Sequence, residues 1–309
     1  MATGQRRDPR MEQFKRIQEL NRAIVEKMSK IRYKIAVLSG KGGVGKSLVA
    51  ANLGVALASK GKRVGILDAD IHGPSVPKML GVHGYTMAGG PEGILPVTTP
   101  QGIKVASMDF LVPSEDTPIV WRGPIKTSAI RELLAMVAWG ELDYLLIDLP
   151  PGTGDEALSI VQMIPKIHGT VIVTMPSDLS RIVVKKAVTF AKKMAIPVLG
   201  VIENMSGFTC PETGKTYYIF GRGAGRRIAE EMGVEFLGEI PLDPRITEAS
   251  DQGKSFISEY PDAPAAKSFI EIAEKIIAKV ESMSGDEERT TARGKPMSFR
   301  LNTDLLKKD

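Results

Sequence analysis

The residues with the clearest chemical potential are glycines and lysines packed into one short stretch, together with aspartates that end apolar runs. Ile35-Ala-Val-Leu-Ser-Gly-Lys-Gly-Gly-Val-Gly-Lys-Ser47 contains G-x-x-x-x-G-K-S from Gly40 to Ser47. Glycines at that spacing let backbone N–H groups turn inward on phosphate oxygens, and a helix starting there adds its positive N-terminal end. The predicted cradle is Gly40, Gly42, Gly43, Val44, Gly45, Lys46, Ser47 and Leu48, with Lys46 on the β- and γ-phosphates of ATP and the Ser47 hydroxyl on Mg2+. The apolar run Arg63–Leu67 ends in Asp68-Ala-Asp70, and Tyr144–Ile147 ends in Asp148. Open α/β sheets bind ligands beyond the carboxyl ends of their strands, so these three carboxylates belong beside the cradle. Asp148 is assigned to Mg2+ through a water, Asp70 to orienting and activating the attacking water, and Asp68 to the outer shell of the metal. Leu149–Asp155 (LPPGTGD) reads as a switch loop, stiffened by prolines and hinged at glycines.

Something must hold these residues at one end of a sheet. From Tyr33 onward, short β-branched runs alternate with helical periodicity, the pattern of βαβ units. The expected fold is α/β, a doubly wound, mostly parallel sheet with helices on both faces. Strands are predicted at Lys34–Leu38, Arg63–Leu67, Tyr144–Ile147, Thr170–Thr174, Pro197–Ile202 and Glu235–Ile240. Helices are predicted at Lys46–Ser59, Pro124–Ala138, Leu179–Met194, Gly223–Met232 and Ala265–Val280. Tyr85–Gln101, rich in Gly, Pro and Thr, reads as a small hairpin or loop insertion. Three regions follow: residues 1–32 as a basic amphipathic helical arm, 33–282 as the P-loop domain, and 283–309 as a polar, disordered tail. The arm carries an apolar stripe at Phe14, Ile17, Leu20, Ile24 and Met28 that should dock on the domain.

Composition narrows the class. The chain has 309 residues, 43% hydrophobic and 25% charged, with a net charge of +5. The positive excess gathers at Arg6, Arg7, Arg10, Lys15, Arg16 and Arg22, which reads as a solvated arm and not as a nucleic-acid surface. A lone cysteine, Cys210, excludes an internal disulfide framework and suits a reducing cytoplasm. The apolar runs are strand-sized and no signal sequence is evident, so a soluble protein without stable membrane association is expected. His72, His83 and His168 make no metal-ligand spacing, and no G-x-S-x-G occurs.

Lys41, beside the first glycine, gives the loop the spelling G-K-G-G-V-G-K-S, which resembles the deviant Walker A of the MinD, nitrogenase-iron-protein and arsenite-pump ATPases. That resemblance implies a homodimer in which Lys41 reaches the partner's phosphates and offsets charge on the transferred phosphoryl group. More specifically, DADIHGPSVPKMLG from Asp68 to Gly81 and DLPPGTGD from Asp148 to Asp155 resemble the Mrp/ApbC family of iron–sulfur cluster carrier ATPases. The similarity runs from about Lys34 to about Lys279 and includes Glu203-Asn-Met-Ser206 and Ile240-Pro-Leu-Asp243. It implies that Asn204 hydrogen-bonds the adenine while Pro241, Leu242 and Asp243 wall the base. Read from spacing alone, Asn204 is a strand-terminating turn residue. The implied function is a slowly hydrolysing ATP switch that assembles or transfers an iron–sulfur cluster or metallocofactor to a client apo-protein.

One motif departs from the family. Members that carry a cluster have C-P-x-C after E-N-M-S, whereas this chain reads Cys210-Pro-Glu-Thr213. A dimer then offers two thiols where a four-iron cluster takes four. The residues therefore predict little or no stably held cluster. Cys210 is read either as a packing residue or as an iron–sulfur ligand completed by a partner or small thiol. Two alternatives accompany this reading: a nucleotide-gated adaptor or scaffold that has lost cluster binding, and a MinD-like positioning ATPase. The latter needs a C-terminal amphipathic anchor, for which FRLNTDLLKK (Phe299–Lys308) is short and sparse in apolar residues.

Overall fold

The computed structural model describes residues 9–71, 73–111, 123–177 and 180–292. In chain order the elements begin α1 (Pro9–Ser29), β1 (Ile31–Ser39), α2 (Lys46–Ser59), β2 (Val64–Asp68), α3 (Val76–Met79), β3 (Gly89–Gly90), β4 (Gly93–Ile94), β5 (Val97–Thr98) and β6 (Lys104–Ser107). They continue with α4 (Gly123–Met136), β7 (Leu142–Asp148), α5 (Asp155–Met163), β8 (Gly169–Thr174), α6 (Ser180–Lys193) and β9 (Val198–Asn204). The hairpin β10 (Phe208–Thr209) and β11 (Thr216–Tyr217) follows, then α7 (Ala224–Met232), β12 (Phe236–Ile240), α8 (Pro244–Asp251), α9 (Phe256–Glu259) and α10 (Pro264–Ala292).

Among the described residues, eight strands form one sheet in the order β12-β9-β8-β1-β7-β2-β6-β5. All its pairings are parallel except β5 with β6. Strands covered on both faces read as continuous apolar runs, and β1, β2, β7 and β8 are buried along almost their whole length. One face packs on α2 and α10, where Leu53, Leu57, Phe269 and Ile276 are buried. The other packs on α1, α4, α5, α6 and α7, where Met28, Leu133, Ile160, Val188 and Ile228 are buried. The sheet is therefore doubly wound, as expected.

Several expectations need adjusting. The strand β6 and helix α5 have no counterpart among the predicted elements; Lys-Val-Ala-Ser is too short and mixed to stand out, yet β6 lies beside β2 in the sheet. Tyr85–Gln101 does contain a hairpin, β3–β4, with β5 joining the main sheet edge. Helix α10 runs on to Ala292, past the expected boundary at residue 282, and residues 293–309 lie outside the described set. Residues 1–8, with Arg6 and Arg7, also lie outside it, as do His72 and Leu179, the predicted start of α6.

The arm docks by a shorter stripe than predicted. Ile24 and Met28 are buried and Leu20 packs partly against the core, but Phe14 is 56% exposed. The buried Lys34 ammonium donates to the carbonyls of Met28 (3.0 Å) and Ile31 (3.3 Å), closing the end of α1 onto β1. Burial, helped by nearby Lys166, lowers the Lys34 pKa to about 8. An Arg16–Glu132 ion pair at 2.7 Å also links α1 to α4, but both side chains are exposed.

Apolar burial should therefore dominate this docking. Met28→Ala should cost about 2–5 kcal/mol, the usual range for a buried Met lost from a core. Arg16→Ala should cost no more than about 1 kcal/mol, as exposed ion pairs do. Urea unfolding of the two variants checks the order, and an Arg16→Ala loss equal to that of Met28→Ala would assign the docking to the ion pair.

Candidate functional site

Strand β1 lies between β7 and β8, and its Val37 pairs with Asp148 while Ser39 pairs with Val173. The loop after β1 thus leaves the sheet near its centre. Gly43 and Gly45 have φ of 79° and 77°, a left-handed backbone that favours glycine and turns successive amides to one side. Gly45 caps α2, and Val49 N–H donates to its carbonyl at 2.9 Å. Gly40 is required for another reason: a Cβ there would stand 2.4 Å from the Val183 carbonyl oxygen of α6. Behind the loop, Ser39 Oγ donates to the Lys41 carbonyl (3.0 Å) and Gly152 N–H donates to the Ser39 carbonyl (3.0 Å), which ties the expected switch loop to the cradle's base.

Lys46 is buried, and its Nζ lies 2.5 Å from Asp148 Oδ1 and 3.3 Å from Ser47 Oγ. Asp68 pairs directly with Asp148 across β2 and β7, so the register alone brings the two carboxylates to the same sheet end. Burial is the largest influence on both and pushes both upward from the ordinary carboxylate range. Repulsion between the two raises Asp68 further, and Lys46 offsets part of the effect on each. Asp148 Oδ2 is buried without a hydrogen-bond partner. A hydrated divalent cation suits this donor set, since it would satisfy that oxygen, meet the Ser47 hydroxyl and neutralise crowded negative charge. Asp148 and Ser47 would hold Mg2+ at this place.

Asp68 has a structural task that spacing did not reveal. Its Oδ1 accepts from Asp70 N–H (3.2 Å), and its Oδ2 accepts from Ser75 N–H (3.1 Å), Val76 N–H (3.2 Å) and Ser107 Oγ (3.4 Å). It folds the loop after β2 around itself. Asp70 is part-exposed, and its charge is among the influences that raise Asp148, which places it near the Lys46–Asp148 pair. Lys41 is part-exposed in the loop.

At the far side of the cradle, Asn204 is buried and its Nδ2 donates to the Val44 carbonyl at 3.0 Å. Asn204 therefore props the phosphate loop. Pro241, Leu242 and Asp243 are part-exposed just beyond β12. The Asp243 carboxylate caps α8 through Arg245 N–H (3.0 Å) and is gripped by the Arg245 guanidinium (2.9 and 2.7 Å). Burial raises its pKa, but Arg245 outweighs this and leaves it below the usual range. The Arg245 guanidinium in turn lies over the Tyr260 ring. Sequence reasoning missed Arg245; the signal was its i+2 spacing from a capping Asp followed by Pro.

Cys210 sits apart, on the β10–β11 hairpin, where its N–H donates to the Lys215 carbonyl. Its pKa is lowered, first by a hydrogen bond with the Thr213 side chain and then by the backbone of Thr213 and Glu212. Thr213 thus supports the thiolate. No cluster of three or more His, Cys, Asp or Glu able to hold a metal occurs among the described residues.

Residues 30–277 match the family model of the NUBPL iron-transfer P-loop NTPases of the ParA type. The iron–sulfur cluster carrier protein of Saccharolobus solfataricus is 58% identical over 266 residues, covering 86% of this chain and 90% of its own length. That of Methanocaldococcus jannaschii is 55% identical over 258 residues, covering 84% and 88%. Among solved structures, the nucleotide-binding protein of Archaeoglobus fulgidus in complex with ADP and cobalt aligns at a TM-score of 0.70 and 44% identity, covering 81% of this chain and 96% of that one. Pyrococcus horikoshii MinD with Mg-ADP aligns at 0.60 and 25% identity, covering 80% and 96%. With the phosphate loop, the buried Lys46–Asp148 pair and these likenesses agreeing over four-fifths or more of the sequence, the chain belongs to the family of ParA-type, NUBPL-like iron-transfer P-loop NTPases.

Proposed function

We propose that this protein is an ATP-binding, slowly hydrolysing homodimeric switch that carries an iron–sulfur cluster to client apo-proteins. The observation that carries the reading is the buried Lys46–Asp148 pair at the phosphate loop, in a chain 58% identical to an iron–sulfur cluster carrier. That likeness does not favour a scaffold that has lost cluster handling. The long match to carriers likewise places the positioning reading behind it.

The division of labour follows from the residues. Loop amides from Gly40 to Ser47 and the start of α2 hold the phosphates, and Lys46 moves between Asp148 and the γ-phosphate oxygens. Asn204, Pro241, Leu242 and Asp243 take the base. Ser47 and Asp148 would hold Mg2+, which when bound would neutralise phosphate charge, and Asp68 keeps the surrounding loop in shape. Asp70 orients a water whose oxygen bonds to the γ-phosphorus as the bond to the bridging β–γ oxygen breaks, giving ADP and phosphate. Lys41 completes the site across the dimer.

The cluster is cargo. Two Cys210 thiolates per dimer cannot fill the four positions of a four-iron cluster, so a client or small thiol supplies the rest and cargo is held in transit. A hydroxyl is a poor ligand to iron, and the Thr213 side chain instead lowers the Cys210 pKa, which favours the thiolate.

Lys46→Ala should abolish ATP binding or turnover in a folded protein, checked by nucleotide titration beside circular dichroism; unchanged hydrolysis would remove the nucleotide assignment. Lys41→Ala should keep nucleotide binding but lower turnover by about 10³-fold or more, the range of a charge delivered in trans. Steady-state phosphate release measures this, and wild-type turnover would return Lys41 to an ordinary loop residue.

Asp70→Asn should bind ATP but hydrolyse it on the order of 10²–10⁴ times more slowly, as expected when the group that activates water is lost. Single-turnover measurement with prebound ATP isolates that step, and a normal rate would shift the role to another carboxylate.

Anaerobic reconstitution tests the cargo. Wild type should retain little iron through gel filtration, and Thr213→Cys should retain more iron and sulfide per dimer. Retention of about four irons by wild type, lost in Cys210→Ser, would show that two thiols suffice.

A further inference from the structure

Glu203 has a carboxylate that is fully buried, close to the nucleotide site but outside its contacts. It accepts hydrogen bonds from Ser206 Oγ at 2.7 Å, Gly223 N–H at 3.2 Å and Gly225 N–H at 2.6 Å. Gly223 caps α7 and Gly225 lies in its first turn, so a buried carboxyl group stands at that helix's positive end. Gly225 has no room for more, since a Cβ there would meet the Glu203 side chain at 3.0–3.1 Å. Ser206 Oγ also lies 3.1 Å from Glu239 Oε2 on β12. Glu203 therefore fixes the turn after β9 against α7, and Ser206, which it holds, links that turn to β12.

That turn has the phosphate loop on one side and the Cys210 hairpin on the other. Asn204, next to Glu203, donates to the Val44 carbonyl, and its Nδ2 would be struck at 2.3 Å by any Cβ placed on Gly45. Met205 and Gly207 then take left-handed φ values of 60° and 82°, reversing the chain into β10. Ser206 N–H donates to the Ile240 carbonyl (2.9 Å) and Leu242 N–H to the Gly207 carbonyl (2.8 Å), so the turn is also bound to the residues walling the base. Gly207 lies beneath Thr216 and Tyr218, which a Cβ would meet at 3.2 Å. Between the Asn204 amide on the phosphate loop and Cys210 there are thus few residues, and most are pinned.

We propose that Glu203 is a positioning residue that makes residues 203–207 a rigid lever, transmitting the conformation of the phosphate loop to the hairpin bearing Cys210. Phosphate that draws the amides of Val44 and Gly45 inward moves the Val44 carbonyl, and Asn204 follows it. Because Glu203 holds the other side of the turn to α7 directly and to β12 through Ser206, the displacement emerges at the hairpin. Without that anchor the turn absorbs it. The inference rests on the reading of the P-loop as a nucleotide site, and it assigns that site an output.

Cys210 is the chain's one cysteine and so a built-in reporter. Its alkylation rate by iodoacetamide is measured without nucleotide and at saturating Mg-ADP, with binding measured in parallel. ADP fills the β-phosphate cradle without the γ-phosphate that dimer closure would use. The ratio of the two rates is the readout, because general loosening raises both rates together and leaves the ratio unchanged.

In wild type the ratio should differ from one by at least about fivefold, the lower end of ordinary coupling between sites. Glu203→Gln keeps the shape but presents an amide donor to N–H donors, and it should bring the ratio to about one while Mg-ADP still saturates. Ser206→Ala, a milder change that removes one bond to the carboxylate, should reduce it in the same direction and serves if Glu203→Gln does not fold. A wild-type ratio of one, or a wild-type ratio in nucleotide-saturated variants, would overturn the lever. Failure of wild type to bind Mg-ADP would overturn the nucleotide assignment and the lever with it.

Discussion

The contact between Lys46 and Asp148 organises this molecule. A lysine and an aspartate both withdrawn from water are tolerable as a pair, whereas removing one partner leaves a buried charge that costs about 3–5 kcal/mol. The constraint fixes where β1 and β7 must end relative to each other, because the loop after β1 has to swing Lys46 back over the end of its neighbour. The parallel register supplies this, setting Val37 and Asp68 directly against Asp148. Yet the pair is not electrically complete. Asp148 raises the proton affinity of Asp68, Asp70 raises that of Asp148, and one Asp148 oxygen is left without a donor. A site held together by an under-compensated buried pair is one that bound phosphate and a cation can reorganise, since both offer Lys46 and Asp148 better partners than each other.

How much of this was legible in the sequence depended on whether the information was local. The phosphate loop could be read because its glycines and lysine act through backbone geometry within eight residues, and α2 occupies the predicted Lys46–Ser59. The strands behind it could be read because burial on both faces leaves continuous apolar runs. What escaped depends on partners distant in the chain. Asp68 looks like a metal-site carboxylate, and nothing in its neighbourhood shows that it captures the amides of Ser75 and Val76. Glu203 looks like the end of a strand until Gly223 and Gly225 are seen at its oxygens. Helix α1 makes the same point, since periodicity marks which face is apolar but not where the surface beneath it stops, so Phe14 lies in solvent.

The departure at Thr213 acquires a chemical meaning from the hairpin geometry. If residue 213 were simply a lost ligand, its side chain would have no particular relation to Cys210. Instead its hydroxyl is the first influence lowering the thiol's pKa, followed by the backbone amides of residues 212 and 213. A thiolate stabilised by hydrogen bonds is more available at neutral pH but a weaker donor to metal than an unencumbered one. Under the proposed function, those properties would suit a ligand that takes iron and releases it again.

A carrier needs such lability, but it also needs timing, and here the two halves of the structure meet. Hydrolysis at the centre of the sheet changes charge by the loss of one phosphoryl group, an event confined to a few ångströms around Lys46. The hairpin with Cys210 lies beyond β9, two strands from β1 in the sheet order. Diffuse electrostatics reaches that distance poorly in water. A covalent path along the backbone, held by Asn204 at the phosphate loop and by Glu203 at α7, does not weaken with screening. On the proposed lever, the asparagine that props the phosphate loop and the glutamate that anchors the turn stand next to each other in sequence, which would join the nucleotide site to the thiol in a single turn of chain.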